Sequence, residues 1–279
     1  MPKIDLGPVG AVVSPGEDDF VDLAVALEQL GYTTVWLSGG PMRGLDQIAA
    51  VVRATRTAKI ATGIIAVDRF PADEVGALYT ELEASDPGRF VVGLGGAHGS
   101  NPLQTLNGYL DVLDAAGTVP VTSRVMAALG PRMVDLARDR ASGAFPVLVT
   151  PGFAAGIRKR LGDDSTLAVE QLLVVDTDAE RARAQARGPL GFLGQSPSYQ
   201  ASFRRMGFTD QEIAQLADRL VDALVPWGDA DTVAARASEQ LQAGADHVAV
   251  SVVADPAAGF PLDQWRAVAA ALGLGLQSR

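Results

Sequence analysis

Short uninterrupted runs of apolar residues alternate along this chain with longer stretches in which apolar positions recur every three or four residues. The short runs have strand length and lack the apolar–polar alternation of a half-exposed strand, so they predict strands buried on both faces, as in a parallel sheet. The longer stretches predict amphipathic helices. Eight strands are read in this way, at about Val9–Val13, Thr34–Leu37, Lys59–Val67, Phe90–Gly95, Arg124–Leu129, Phe145–Thr150, Leu167–Val175 and His247–Val253, with a helical pattern after each.

The first helix is the clearest. DDFVDLAVALEQLG spaces Phe20, Leu23, Ala24, Leu27 and Leu30 on one face and stops at Gly31. The helix before the last strand repeats the grammar: Asp229 or Asp231 as cap, Val233, Ala237 and Leu241 as the apolar stripe, Gly244 as the stop. Between Asp178 and Pro226, about fifty residues that include GPLGFLGQSPSYQASFRRMGF are too long for a simple crossover. They predict an excursion over one end of the fold, either a substrate lid or a helix–loop–helix that extends the shell or makes a dimer contact.

Strands alternating with helices, and no composition shift or flexible linker, predict a single (β/α)8 barrel domain over residues 1–279, with a doubly wound sheet as the alternative. In such a barrel the loops after the strands bind ligands. The runs KIATGIIAV and GRFVVGLGGAHGSN end in small residues, which directs attention to those loops.

Composition narrows the chemistry. With 48% hydrophobic and 20% charged residues the 279-residue chain is globular, and a net charge of −10 without any Lys/Arg-rich segment gives no footprint for nucleic acid or an anionic membrane. The absence of cysteine removes disulfides, thiolate nucleophiles and cysteine-ligated metal. The start MPKIDLGPVG has neither the basic nor the apolar region of a signal peptide, and no apolar run approaches the ~20 residues of a spanning helix, so the expected location is the cytoplasm.

Five pieces in order, GYTTVWLS, TAKIATGIIAV, GRFVVGLGGAHGSN, ALGPRMVDLARDRASG and AGADHVAVSVV, resemble the luciferase-like monooxygenase superfamily, in particular its actinobacterial branch that uses the deazaflavin coenzyme F420. The resemblance spans nearly the whole chain. It implies a (β/α)8 barrel, coenzyme F420 or alternatively FMN at the carboxyl-end mouth, a small-molecule substrate and a homodimer. It also implies a cis peptide bond at Gly63–Ile64 against the coenzyme ring. Ser38, Gly63 and Ile64 then fall at the ring, as do Gly96, Ala97 and Asn101 on a loop whose glycines permit close backbone approach. His98 on that loop is the candidate acid or base, against a solvent-exposed loop histidine. His247, at the start of the last strand, falls on the opposite face and is read as structural.

Pro131 suits the first position of a helix, so Leu129, Gly130 and nearby amides can hold an anion, and the resemblance adds Thr150 and Gly152 to a phosphate cradle. The bland reading is a well-capped helix. Departures also count. Many F420-dependent relatives carry an Asp-His pair after the second strand, where this chain has Ser38-Gly39-Gly40-Pro41. Phe153 stands where a phosphate-binding lysine would be, and His98 where sugar-phosphate-oxidising relatives have an acid, which disfavours that substrate class. The reading is therefore an F420-dependent oxidoreductase acting on an unidentified small organic substrate. An FMN-dependent monooxygenase is the enzymatic alternative, and a non-catalytic flavin- or deazaflavin-binding barrel the alternative of another class.

Overall fold

In a computed structural model of the chain, which describes residues 3–97, 99, 101–254 and 260–275, every strand pairing is parallel. The strands are β1 (Val9–Val13), β2 (Thr34–Ser38), β3 (Lys59–Gly63), β4 (Ile65–Ala66), β5 (Phe90–Gly95), β6 (Arg124–Met126), β7 (Gly143–Ala144), β8 (Thr166–Val175), β9 (Trp227–Gly228) and β10 (His247–Val252). The helices are α1 (Phe20–Gln29), α2 (Asp46–Ala54), α3 (Ala72–Ser85), α4 (Pro102–Ala116), α5 (Pro131–Arg140), α6 (Pro151–Leu161), α7 (Ala179–Leu193), α8 (Pro197–Arg205), α9 (Asp210–Gln215), α10 (Asp218–Leu224), α11 (Ala230–Gln242) and α12 (Leu262–Ala271).

The order β10-β1-β2-β3-β5-β6-β7-β8 closes on itself because β8 pairs with β10, from His247 beside Ala168 to Val252 beside Leu173. This is the expected (β/α)8 barrel. β4 continues the third staff of the barrel past Gly63, and β9 pairs with the far end of β8. Along each strand one set of side chains faces the helices and the other faces inward. Ala11, Val13, Val35 and Leu37 join the main shell core, whereas Trp36, Ala61, Val91, Val125, Phe145, Ala168 and Ala249 form the barrel interior. Trp36 and Phe145 stack at 3.9 Å with planes 6° apart, so the interior is filled and ligands are confined to the ends.

Local sequence explains the shell. α1 buries Leu23, Ala24 and Leu27 and ends where Gly31 adopts φ +95°; α11 begins at Asp229, whose carboxylate accepts from the Thr232 amide at 2.9 Å. The excursion consists of α7–α10 and has its own core, in which Phe203, Phe208, Leu220 and Leu224 pack with Leu148 and Leu172 of the barrel.

Three expectations are corrected. The run Phe145–Thr150 is not the sixth barrel strand: β7 is Gly143–Ala144, and beyond it Pro146 lacks an N–H while Leu148 takes φ +55°. Past β7 the Phe145 amide, donating to the Met126 carbonyl at 2.8 Å, and an isolated bridge from Val147 to Glu170 keep that segment on the barrel wall. The fifth strand stops at Met126 rather than Leu129. The third run is interrupted between Gly63 and Ile65, where the Gly63–Ile64 peptide is cis as the resemblance implied.

Candidate coenzyme site

The carboxyl ends of β2, β3 and β5 form one continuous rim. Ser38 lies beside Gly63 in register, and the Gly39 amide donates to the Gly63 carbonyl at 3.3 Å. A Cβ on Gly39 would fall 1.6 Å from the Ile64 carbonyl oxygen, so only glycine permits this approach. Arg69 closes the loop from behind, donating to the carbonyls of Gly40 at 3.1 Å and Met42 at 2.7 Å.

The Ile64 side chain lies across the next strand end. A Cβ on Gly95 would meet Ile64 Cγ1 at 3.0 Å, and one on Gly96, whose φ is +71°, would meet Ala66 Cα at 2.9 Å. Ser38, Gly63, Ile64, Gly96 and Ala97 are all half-buried. Asn101 is exposed at the start of α4 and makes no side-chain cap, which leaves its carboxamide available. His98 lies outside the described residues.

A second group of expected residues surrounds two helix N-termini. Gly130 precedes α5 with no side-chain cap, so the first amides of that helix retain donor capacity. Arg205, at the end of α8, reaches this point: a Cβ on Gly130 would lie 3.8 Å from both terminal nitrogens of its guanidinium. Among the described residues Arg205 has no carboxylate partner, while its neighbour Arg204 pairs with Asp210 at 2.6 Å. Beside it, Thr150 caps α6, its hydroxyl accepting from the Phe153 amide at 3.3 Å, and its own amide points at Met206 Sδ at 3.4 Å. Thr150 is thus already engaged by protein groups. Gly152 is exposed and has open space about it. Arg205 was not foreseen, because nothing in its own segment marks it apart from the other arginines.

One more group escaped the sequence reading. Glu170 sits inside β8 among apolar residues, level with Ala249 of β10. Gln171, the next residue, is bonded on the helix side, donating to Leu224 O and accepting from Gln240 of α11, so Glu170 faces inward. It is half-buried, and burial pushes its carboxyl up to about 8. Tyr199 of α8 is close enough for its phenol, raised chiefly by burial, to be raised further by Glu170. The available signal was the one ionisable side chain in a mostly apolar strand.

His247 is fully buried at the amino end, and burial lowers its pKa to about 4. Among the described residues no cluster of three or more His, Asp or Glu side chains could hold a metal ion, and no helix is long and apolar enough to cross a membrane.

No protein-family model matches the chain, and no curated protein matches it by sequence. Solved structures do. An F420-dependent secondary alcohol dehydrogenase in complex with an F420-acetone adduct superposes with a TM-score of 0.73 at 16% identity, covering 95% of this chain and 98% of that one. The coenzyme F420-dependent tetrahydromethanopterin reductase of Methanopyrus kandleri gives 0.75 at 17% identity, covering 97% and 99%. The oxygenating constituent of 3,6-diketocamphane monooxygenase from Pseudomonas putida, a type II Baeyer-Villiger monooxygenase in complex with FMN, gives 0.66 at 12% identity, covering 95% and 97%. The chain therefore has the same (β/α)8 barrel fold as these three enzymes.

Proposed function

We propose that this protein is an oxidoreductase that binds coenzyme F420 at the carboxyl-end mouth of its barrel and transfers a hydride to or from a small organic substrate. The observation that carries the reading is the uncapped N-terminus of α5 with the unpaired Arg205 guanidinium above it. A helix N-terminus and an arginine together suit a phosphate, which both deazaflavin and FMN possess. Gly63, Gly95 and Gly96 let Phe145, Ile64 and Ala66 pack directly against the backbone of the rim, and this tight rim is the surface assigned to the coenzyme ring.

The bound coenzyme would supply the hydride chemistry, and the protein supplies orientation and a dry pocket. Ser38, Ile64, Gly96, Ala97 and Asn101 are assigned to the ring side, and Leu129, Gly130, Gly152 and Arg205 to the phosphate side. Thr150 is assigned to positioning α6. The stacked Trp36 and Phe145 floor the mouth, and the core of the excursion with Leu148 and Leu172 excludes water from one flank. A cytoplasmic homodimer belongs to the same reading, and analytical ultracentrifugation tests the second half of it.

The decisive experiment is a titration of the purified protein with F420 and, separately, with FMN, followed by fluorescence quenching. Tight binding of F420 alone is the expected result. Tight binding of FMN alone would redirect the reading to flavin-dependent monooxygenation, and binding of neither would overturn it.

A further inference from the structure

Glu170 is placed where an ordinary structural carboxylate would not be. One inward step before it on β8, Ala168 belongs to the packed barrel interior; one step after it, Leu172 packs with the excursion helices. Glu170 thus stands at the junction between the filled interior and the covered mouth. Beside it are Ala249 in register on β10 and Val147 across the bridge, and Tyr199 of α8 is within electrostatic reach. Ser251 follows at the next inward position of β10.

Among the described residues the Glu170 carboxyl accepts no hydrogen bond and meets no cation, although nearly all buried polar groups find partners. Its oxygens are nonetheless absent from the side-chain atoms that are both sealed and unpartnered, so they keep some exposure to solvent. The same holds for the Tyr199 hydroxyl. An unpaired acid adds nothing to stability in such a place, which turns attention to a ligand.

We propose that Glu170 delivers and removes the proton that accompanies hydride transfer, acting on the oxygen of a carbonyl or alcohol substrate in the barrel mouth. The proposal rests on the coenzyme reading above and names a group that reading lacks. In the reducing direction bound reduced coenzyme would supply the hydride for the new C–H bond at the carbonyl carbon. The electron pair of the C=O π bond moves to oxygen, which takes the proton from Glu170 and leaves a carboxylate. Oxidation of the alcohol runs the same steps backwards. Burial keeps this carboxyl protonated at neutral pH, as the reducing direction requires, and Tyr199 is the titratable group that senses its charge.

The test is Glu170→Gln beside the wild type, with F420 binding measured first. Turnover is then followed with reduced F420 and a panel of aliphatic ketones across pH. The expected variant binds F420 like the wild type, keeps its KM and loses kcat by about 100-fold or more. The wild-type rate should fall as pH rises through about 8, and the variant's rate should be flat. Infrared titration of the unliganded protein gives a second readout: a protonated carboxyl that persists to about pH 8 and is missing from the variant. An unchanged rate in the variant, titration in the ordinary carboxylate range, or bound F420 with no ketone reduced would overturn the role of Glu170 alone. A wild type that binds no F420 would overturn the coenzyme reading and this role with it.

Discussion

Trp36 donates its indole N–H to Nε2 of His247 at 3.0 Å, and both side chains are fully buried. The other ring nitrogen, Nδ1, lies 2.7 Å from the Gly7 carbonyl oxygen. With Nε2 accepting and Nδ1 donating, the imidazole is neutral, and its bond to Trp36 links the floor of the barrel to the ring that stacks on Phe145.

Protonation of His247 should therefore destabilise the fold. Burial depresses the folded-state pKa to about 4, although the bond to Gly7 opposes this, so the unfolded state binds the proton more readily. The stabilisation is fully present above the unfolded value near 6.5 and is lost as pH falls toward 4; the shift corresponds to about 3 kcal/mol. Urea midpoints of the wild type and His247→Gln across this range check it, the expected result being a steeper acid loss in the wild type.

Gly39→Ala should be costly and Gly40→Ala should not. A Cβ at position 39 meets a backbone oxygen at 1.6 Å, which cannot move aside as a flexible side chain can, whereas a Cβ at position 40 has nothing within 4 Å. Overpacking of this kind costs roughly 1–3 kcal/mol or more. Thermal unfolding of the two variants distinguishes a tightly apposed rim from a loose one.

Arg205→Gln should weaken binding of the phosphate-bearing coenzyme. An ionic hydrogen bond contributes about 1.5–3 kcal/mol, equivalent to roughly a 10- to 100-fold rise in Kd. Arg204→Gln is the control, since Arg204 is engaged by Asp210 and should leave affinity unchanged. Fluorescence titration at two salt concentrations reads both, and the salt dependence should diminish only in Arg205→Gln.

Glu28 ties α1 to the loop before β3, and its loss should be felt at neutral pH. Burial works against its charge, but the amides of Ala58, Thr57 and Arg56 at 2.7–3.0 Å, with the Thr57 hydroxyl, hold the carboxyl below its ordinary range. Its contribution is thus present above the unfolded value and disappears as pH falls through the lower folded one. Glu28→Gln should lose about 1–3 kcal/mol at pH 7, and the gap to the wild type should narrow in acid, as denaturant unfolding will record.

Much of the barrel was legible in the chain because strands buried on both faces leave continuous apolar runs. Phe90–Gly95 coincides with β5, and Gly31 and Gly244 mark helix ends where they were expected. The failure at Phe145–Thr150 has a local cause: that run is apolar because it lines the mouth and packs with the excursion, and hydrophobicity does not distinguish this from strand pairing. The resemblance, rather than periodicity, anticipated the cis bond at Gly63–Ile64.

The candidate site divides in the same way. Glycine rims and the Pro131 helix start are local features that a sequence states directly. Arg205 above Gly130 and Tyr199 beside Glu170 join residues far apart in the chain, and they meet because α8 folds back over the end of the barrel. What the sequence determined by itself was the alternation of buried strands and one-faced helices, since burial period is written into each segment. The tertiary structure alone decided which charges remain unpaired and which carboxyl loses its water, because desolvation depends on the neighbours that closure of the barrel brings together.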